Sequence, residues 1–319
     1  MEAHPEFFVV VGSGRSGTQY LASVLRRTLD IGFAAEPKII VRTWNRIGSF
    51  GDLADDANLR RLAERVHGSK MFRHLRTHVG VETTPDTILN RLSERTYADM
   101  IRTSLRIVAD ARGCERMGWK DPEDCDNIPV LAELFPEARF VHIVRDGRDM
   151  ALSMLKMDWG PTNTYALARY WKRCVETARR DGRALGPDRF FELRYEDLVV
   201  KPTATAHRLG AYLNGDSHPE QVDAFAALLE ETSDPSRVDV WKRKMSADDQ
   251  RIFEAVAGDT LDAFGYDRAV GPAARLSPVA AGYYRSSNFV RWLANGVVRR
   301  ARRTLFPRPA IVPLTREIS

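Results

Sequence analysis

Phe7-Phe8-Val9-Val10-Val11 is an unbroken apolar run that ends in Gly12-Ser13-Gly14. That pattern predicts a strand buried on both faces of a parallel sheet. From Ser16 to Leu29 the apolar positions take helical spacing, with Leu21, Val24, Leu25 and Leu29 on one side. Strand, glycine turn and helix in this order open a nucleotide-binding α/β fold. Residues 38–95 are polar and weakly periodic, and few elements are placed there. Periodicity then returns and predicts a helix over about 96–112, a short strand at 115–119 and a helix at 126–134 that stops before Pro136. Arg139–Val144 is a second buried-strand pattern, followed by a helix rich in Ala, Leu and Met. A helix at 163–181, a strand at 189–194 and helices near 202–213, 219–230 and 247–264 complete the series. The alternation predicts an α/β fold with a central parallel sheet covered by helices on both faces. Residues 1–267 read as one domain, and 268–319 as a proline-containing appendage.

Charge changes this picture only at the C-terminus. The formal net charge of +5 conceals ten arginines against one glutamate after residue 267, so the remainder is slightly acidic. A uniformly basic nucleic-acid binder is excluded, and attraction to anionic surfaces is concentrated in the tail. Phe289–Phe306 fits a basic helix lying on the inner face of a membrane or on an anionic partner. It fits a solvated or domain-packed tail equally well, because Arg300 falls on the apolar side and Gly296 weakens the helix. The chain starts without a basic segment and apolar leader, and no apolar stretch reaches membrane-spanning length, which predicts a cytoplasmic protein. Cys114, Cys125 and Cys174 have no metal-ligand spacing and are too few for a disulfide framework.

Two clusters carry the chemistry. Gly12-Ser13-Gly14-Arg15-Ser16-Gly17-Thr18 sits where a strand gives way to a helix, so backbone N–H groups and the helix N-terminus suit a phosphate or sulfate. Gly12 and Gly17 have the spacing of an NTP loop, yet Thr18 and Gln19 stand where Lys and Ser/Thr belong, and Arg15 supplies the cation. An anion loop without that lysine points to a nucleotide with a different terminal group. The plain alternative is a glycine turn that only packs strand on helix. The second cluster is Arg145-Asp146-Gly147-Arg148-Asp149 with Ser153 two helical turns on. A guanidinium fork and a hydroxyl just past a strand's carboxyl end suit a phosphate monoester, where a surface turn of Arg–Asp pairs is the alternative.

Taken together, Gly12–Thr18 and Phe135–Ser153 resemble the PAPS-dependent sulfotransferases, which use 3′-phosphoadenosine 5′-phosphosulfate (PAPS) and leave PAP. The match is closest to the bacterial and carbohydrate- or tyrosyl-protein-type branch with a PRSGT-like loop. Tyr195-Glu196-Asp197-Leu198, followed by Pro202, is similar to that family's YEDL segment, and Ser236-Arg237 with Trp241-Lys242 to its late loop. Ser13-Gly14 departs from the usual small residue and proline before Arg15. The resemblance implies a P-loop-like sulfotransferase fold. It implies that Gly14, Arg15, Ser16, Gly17 and Thr18 hold the 5′-phosphosulfate, and that Arg145 and Ser153 hold the 3′-phosphate. Tyr195, Arg237 and Trp241 would complete the donor site, with Trp241 against adenine. Glu36, after the second strand, is the preferred base, Glu82 its competitor on the substrate side, and Lys120 would face the substrate or the bridging oxygen of the donor. No metal is required, and the acceptor is a hydroxyl of a carbohydrate, lipid or natural product. A nucleotide kinase or NTPase with a degenerate loop, or a non-catalytic PAP-binding scaffold, is the rival reading. None of the seven histidines is preferred; His142 reads as core, and His74 and His78 as solvated.

Overall fold

The computed structural model describes residues 7–157, 159–215, 218–271 and 274–305. Five strands, β1 (Phe7–Val11), β2 (Ile31–Ala35), β3 (Arg116–Lys120), β4 (Arg139–Val144) and β5 (Phe190–Arg194), form one sheet in the order β2-β3-β1-β4-β5. Every pairing is parallel. Alternate β1 residues feed opposite cores, as the two-residue period of a strand requires. Phe7, Val9 and Val11 join a cluster with Leu62, Leu105 and Leu131 on one face. Phe8 and Val10 join Leu21, Leu209 and Phe225 on the other. A third core, around Trp171 and Phe253, lies beyond the end of β4.

The weakly periodic stretch 38–95 is largely helical, with Ile39–Trp44, Asp56–His67, Lys70–His74 and Pro85–Leu89 as its α-helices. Three of these have only five or six residues, too few turns for a periodic signal to accumulate. The longest buries Leu59, Leu62, Ala63 and Val66 and is capped by Asp55, whose side chain accepts from Asn58 N. The first helix runs over Thr18–Thr28 rather than from Ser16, because Gly17 is left-handed with φ of 100° and ends the turn.

The last helix, Pro278–Leu305, is anchored near its middle. Thr162 N donates to Asn288 Oδ1 at 2.7 Å, Asn163 Nδ2 donates to the Tyr284 carbonyl at 2.8 Å, and Tyr165 stacks on Tyr284. Among the described residues no helix is long and apolar enough to cross a membrane. Pro272, Phe306 and the prolines at 307, 309 and 313 lie outside the described residues.

Candidate active site

The strand order fixes where a ligand can sit. The chain leaves β1 toward β2 on one side of the sheet, and leaves β4 toward β5 on the other. Between these neighbouring strands the connections diverge and open a crevice at their carboxyl ends. The loop Gly12–Gly17 and the turn Arg145-Asp146 are its two lips, and a cleft of about 580 Å³ lies there.

The first lip is tightly held. A Cβ on Gly12 would lie 2.5 Å from the Ile143 carbonyl oxygen, and one on Gly17 2.6 Å from the Tyr195 ring, so both positions exclude side chains. Arg15 adopts a positive φ of 70°, and its Nε donates to Ser153 Oγ at 3.1 Å across the cleft. Gly14 N donates to Tyr170 Oη at 2.9 Å, which pins the loop to the helix Thr164–Arg183. Ser16 is brought to the loop but not to the cavity, since its buried hydroxyl donates back to Ser13 O at 2.6 Å. The first amides of the helix that starts at Thr18 have no intrahelical acceptor and face the crevice with the positive end of the helix dipole.

The second lip is built on buried charge. Arg145 Nη2 donates to Arg237 O at 2.7 Å and Nη1 to Arg15 O at 3.3 Å, and the guanidinium lies over the Tyr195 ring at 4.6 Å. Its Nε is buried with no partner among the described residues. Asp149 lies 3.8 Å from Arg145 Nη2 and accepts from Trp241 N at 2.7 Å, and burial pushes its carboxyl up to about 6. Arg148, far from being a surface turn residue, is buried between Asp146 at 2.8 Å and Glu254 at 3.0 Å.

Opposite these lips, at the ends of β2 and β3, stands an acid held by two bases. Glu36 has a positive φ of 40°, and Lys120 Nζ donates to its Oε1 at 2.9 Å while Lys70 Nζ donates to Oε2 at 2.7 Å. Burial opposes the charge, but the two lysines outweigh it and hold the carboxyl at about 2. Lys120 is itself buried, so its ammonium is aimed rather than solvated.

Of the residues singled out in the sequence, Gly14, Arg15, Gly17, Thr18, Glu36, Lys120, Arg145, Ser153, Tyr195 and Arg237 line this one cleft. Besides Ser16, two are not brought to it. Trp241 is packed into the third core with its ring 3.4 Å from the Arg148 guanidinium carbon, because the short helix Val240–Lys244 turns it inward. Its indole is therefore not available to stack on a base. Glu82 is exposed beside a separate recess with His67 and Arg73. His142 is a core residue bonded to Glu192 at 3.0 Å. His74 and His78 stack on each other at 4.0 Å, and His74 is half-buried rather than solvated. The sequence reading missed Lys70, Tyr170 and Trp159, the last an exposed indole on the cleft rim. A lone lysine, tyrosine or tryptophan in a helix or loop carries no local signal of such a role.

The fold is a parallel α/β sheet with a basic cleft at its switch point, and the glycine loop there lacks the NTP lysine. The chain belongs to the Sulfotransferase family, whose model matches residues 5–219, well over half of its length. It is 29% identical over 177 residues to omega-hydroxy-beta-dihydromenaquinone-9 sulfotransferase of Mycobacterium tuberculosis, covering 51% of this chain and 44% of that protein. It is also 29% identical over 176 residues to protein-tyrosine sulfotransferase 1 of Danio rerio, covering 48% of this chain and 49% of that protein. The chain thus spans less than half the length of each of these curated relatives. Among solved structures, a sulfotransferase domain from the curacin biosynthetic pathway aligns over 82% of this chain and 97% of its own at 16% identity, with a TM-score of 0.49.

Proposed function

We propose that the chain transfers a sulfuryl group from PAPS to a hydroxyl of an amphiphilic lipid, carbohydrate or natural product. The observation that carries this reading is that one cleft joins its two basic lips through the Arg15–Ser153 bond and the Arg145–Arg15 carbonyl bond. A nucleotide with phosphate groups at both 3′ and 5′ ends suits that arrangement, and the unpartnered Nε of Arg145 is a donor waiting for one of them. The loop 14–18 would hold the 5′-phosphosulfate, Arg145 and Ser153 the 3′-phosphate, and Tyr195 and Arg237 the nucleotide between. When bound, PAPS supplies an electrophilic sulfur on a phosphate leaving group. Arg15 and Lys120 offset charge that develops around it, without a metal ion in this reading. Glu36 takes the acceptor's hydroxyl proton. Its clamp bears directly on that role, since a carboxylate at about 2 is a weak base. An anion that draws Lys120 away releases half of the clamp and raises the Glu36 pKa, so base strength rises when the cleft is filled.

Every cleft residue named here precedes Arg268. We assign the catalytic unit to 1–267 and treat 268–319 as a basic appendage. The last helix turns Val279, Tyr283, Phe289, Val290, Leu293 and Val297 outward, all 46% exposed or more. At about 100° per residue they occupy roughly one third of its circumference, with Arg285 and Arg291 on the two flanks. This is the form of a helix lying in an anionic membrane surface, and two copies face to face would set arginine against arginine. The reading places the protein on the inner face of a membrane, where the anchored loop 159–163 carries Trp159 from the helix to the cleft.

The test is transfer of labelled sulfate from PAPS into lipid and polar extracts. Label should enter an acceptor with the wild type and not with Arg15→Ala. Release of label to water alone, or no PAPS consumption, would overturn the activity.

A further inference from the structure

Beside the cleft, on the far side of Lys120, lies a recess of about 190 Å³ that the donor site does not use. The helix Thr18–Thr28 presents Gln19, Ser23 and Arg26 to it at i, i+4 and i+7, one face of the helix. Across from them stand Arg112, after the helix Tyr97–Asp110, and His74. No carboxylate lines the recess. Neither Arg26 nor Arg112 makes an ion pair or side-chain hydrogen bond among the described residues, and Arg112 Nε is buried without a partner. Burial and the nearby charge of Arg26 both disfavour the Arg112 cation. Burial first, then His78, Arg112 and Lys70, push His74 down to about 4, so near neutral pH it offers an N–H rather than a charge. Arg26 is exposed, but Arg112 is half-buried with its Nε unmet and a second cation nearby, an arrangement that is costly unless an anion completes it.

We infer that this recess binds an oxyanion carried by the acceptor, a phosphate or a carboxylate, while the acceptor's hydroxyl lies at Glu36. The inference rests on the proposed acceptor side of the cleft, because the recess shares Gln19, Ser23 and Lys120 with it. The two guanidinium groups take the anion, and the Gln19 and Ser23 side chains serve the spacer between anion and hydroxyl. Such a site selects anionic amphiphiles or acids over neutral alcohols of the same shape, since an acceptor lacking the anion leaves both arginines unpaired.

The test uses the full chain saturated with PAP, titrated with inorganic phosphate or acetate at constant ionic strength set with chloride. Binding is followed by calorimetry and by thermal stability. Wild-type protein should bind at least one of the two probes, and the stronger probe tells which oxyanion the site prefers. Arg26→Gln, exposed on the helix, and Arg112→Gln should each weaken that binding about tenfold or more. Both variants should keep the stabilisation given by PAP, which shows that they are folded. Binding of neither probe to the wild type, or equal binding to wild type and variants, overturns the inference. Failure of PAP to bind would instead count against the donor reading, and the probes still compare wild type with variants without it.

Discussion

Glu36 shows how much a single residue's role depends on its neighbours. Lys70 and Lys120 keep it charged down to about 2, so removing Lys70 should weaken the clamp and raise its pKa toward the ordinary 4.5. In Lys70→Met the acid limb of the kcat/KM profile should move to higher pH, and an unmoved limb would exclude Glu36 as the titrating base. The depressed pKa also makes Glu36 a source of stability that is full above about 4.5 and lost as pH falls toward 2. Lys70→Met should therefore narrow the difference between neutral and acid stability, read as a smaller loss of Tm on acidification. Glu36→Gln keeps the shape without the base and should lower kcat by about 10²–10⁴-fold with PAP affinity almost unchanged. Glu82→Gln, outside the cleft, should change neither. Glu36 was reached through the family resemblance, which puts a glutamate after the second strand, and not through a strand pattern read at Ile31–Ala35 itself. Its clamp was not legible, since Lys70 lies 34 residues on in a five-residue helix that leaves no periodic trace.

At the scale of elements, the loop Gly12–Gly17 and the last helix make separable predictions. Gly17→Ala forces a Cβ against Tyr195 at a φ of 100°, and should cost about 1–3 kcal/mol of stability and loosen PAP binding with it. Normal stability and affinity in that variant would mean the loop relaxes at no cost. For the last helix, the full chain should sediment with phosphatidylglycerol-containing vesicles and not with pure phosphatidylcholine. Replacing Phe289 and Leu293 with serine should reduce that association about tenfold or more while kcat on a water-soluble acceptor holds. Association that ignores both lipid charge and these side chains would remove the membrane from the account. The strand β1 was legible as a continuous apolar run, and β4 as an apolar run after Arg139 interrupted by His142, because both faces are buried. The short helices between 39 and 89 were not, and Trp241 was misplaced because its inward turn is set by Asp149 and Arg148, ninety residues away in sequence.

On the scale of the whole molecule, function follows from strand order. Alternating strands and helices predicted a parallel sheet, but periodicity says nothing of which strands are neighbours, and only the order β2-β3-β1-β4-β5 brings Arg15 and Arg145 to one crevice. Their hydrogen-bonded link across it is the physical basis for reading a donor phosphorylated at both ends. The most direct measurement is a calorimetric comparison of PAP with adenosine 5′-phosphosulfate, which lacks the 3′-phosphate, on wild type and Arg145→Ala. PAP should bind the wild type more tightly, and Arg145→Ala should weaken PAP by about 2–4 kcal/mol while leaving the other ligand nearly unchanged. Equal losses for both ligands, or tighter binding of ATP with Mg²⁺ than of PAP, would contradict the account.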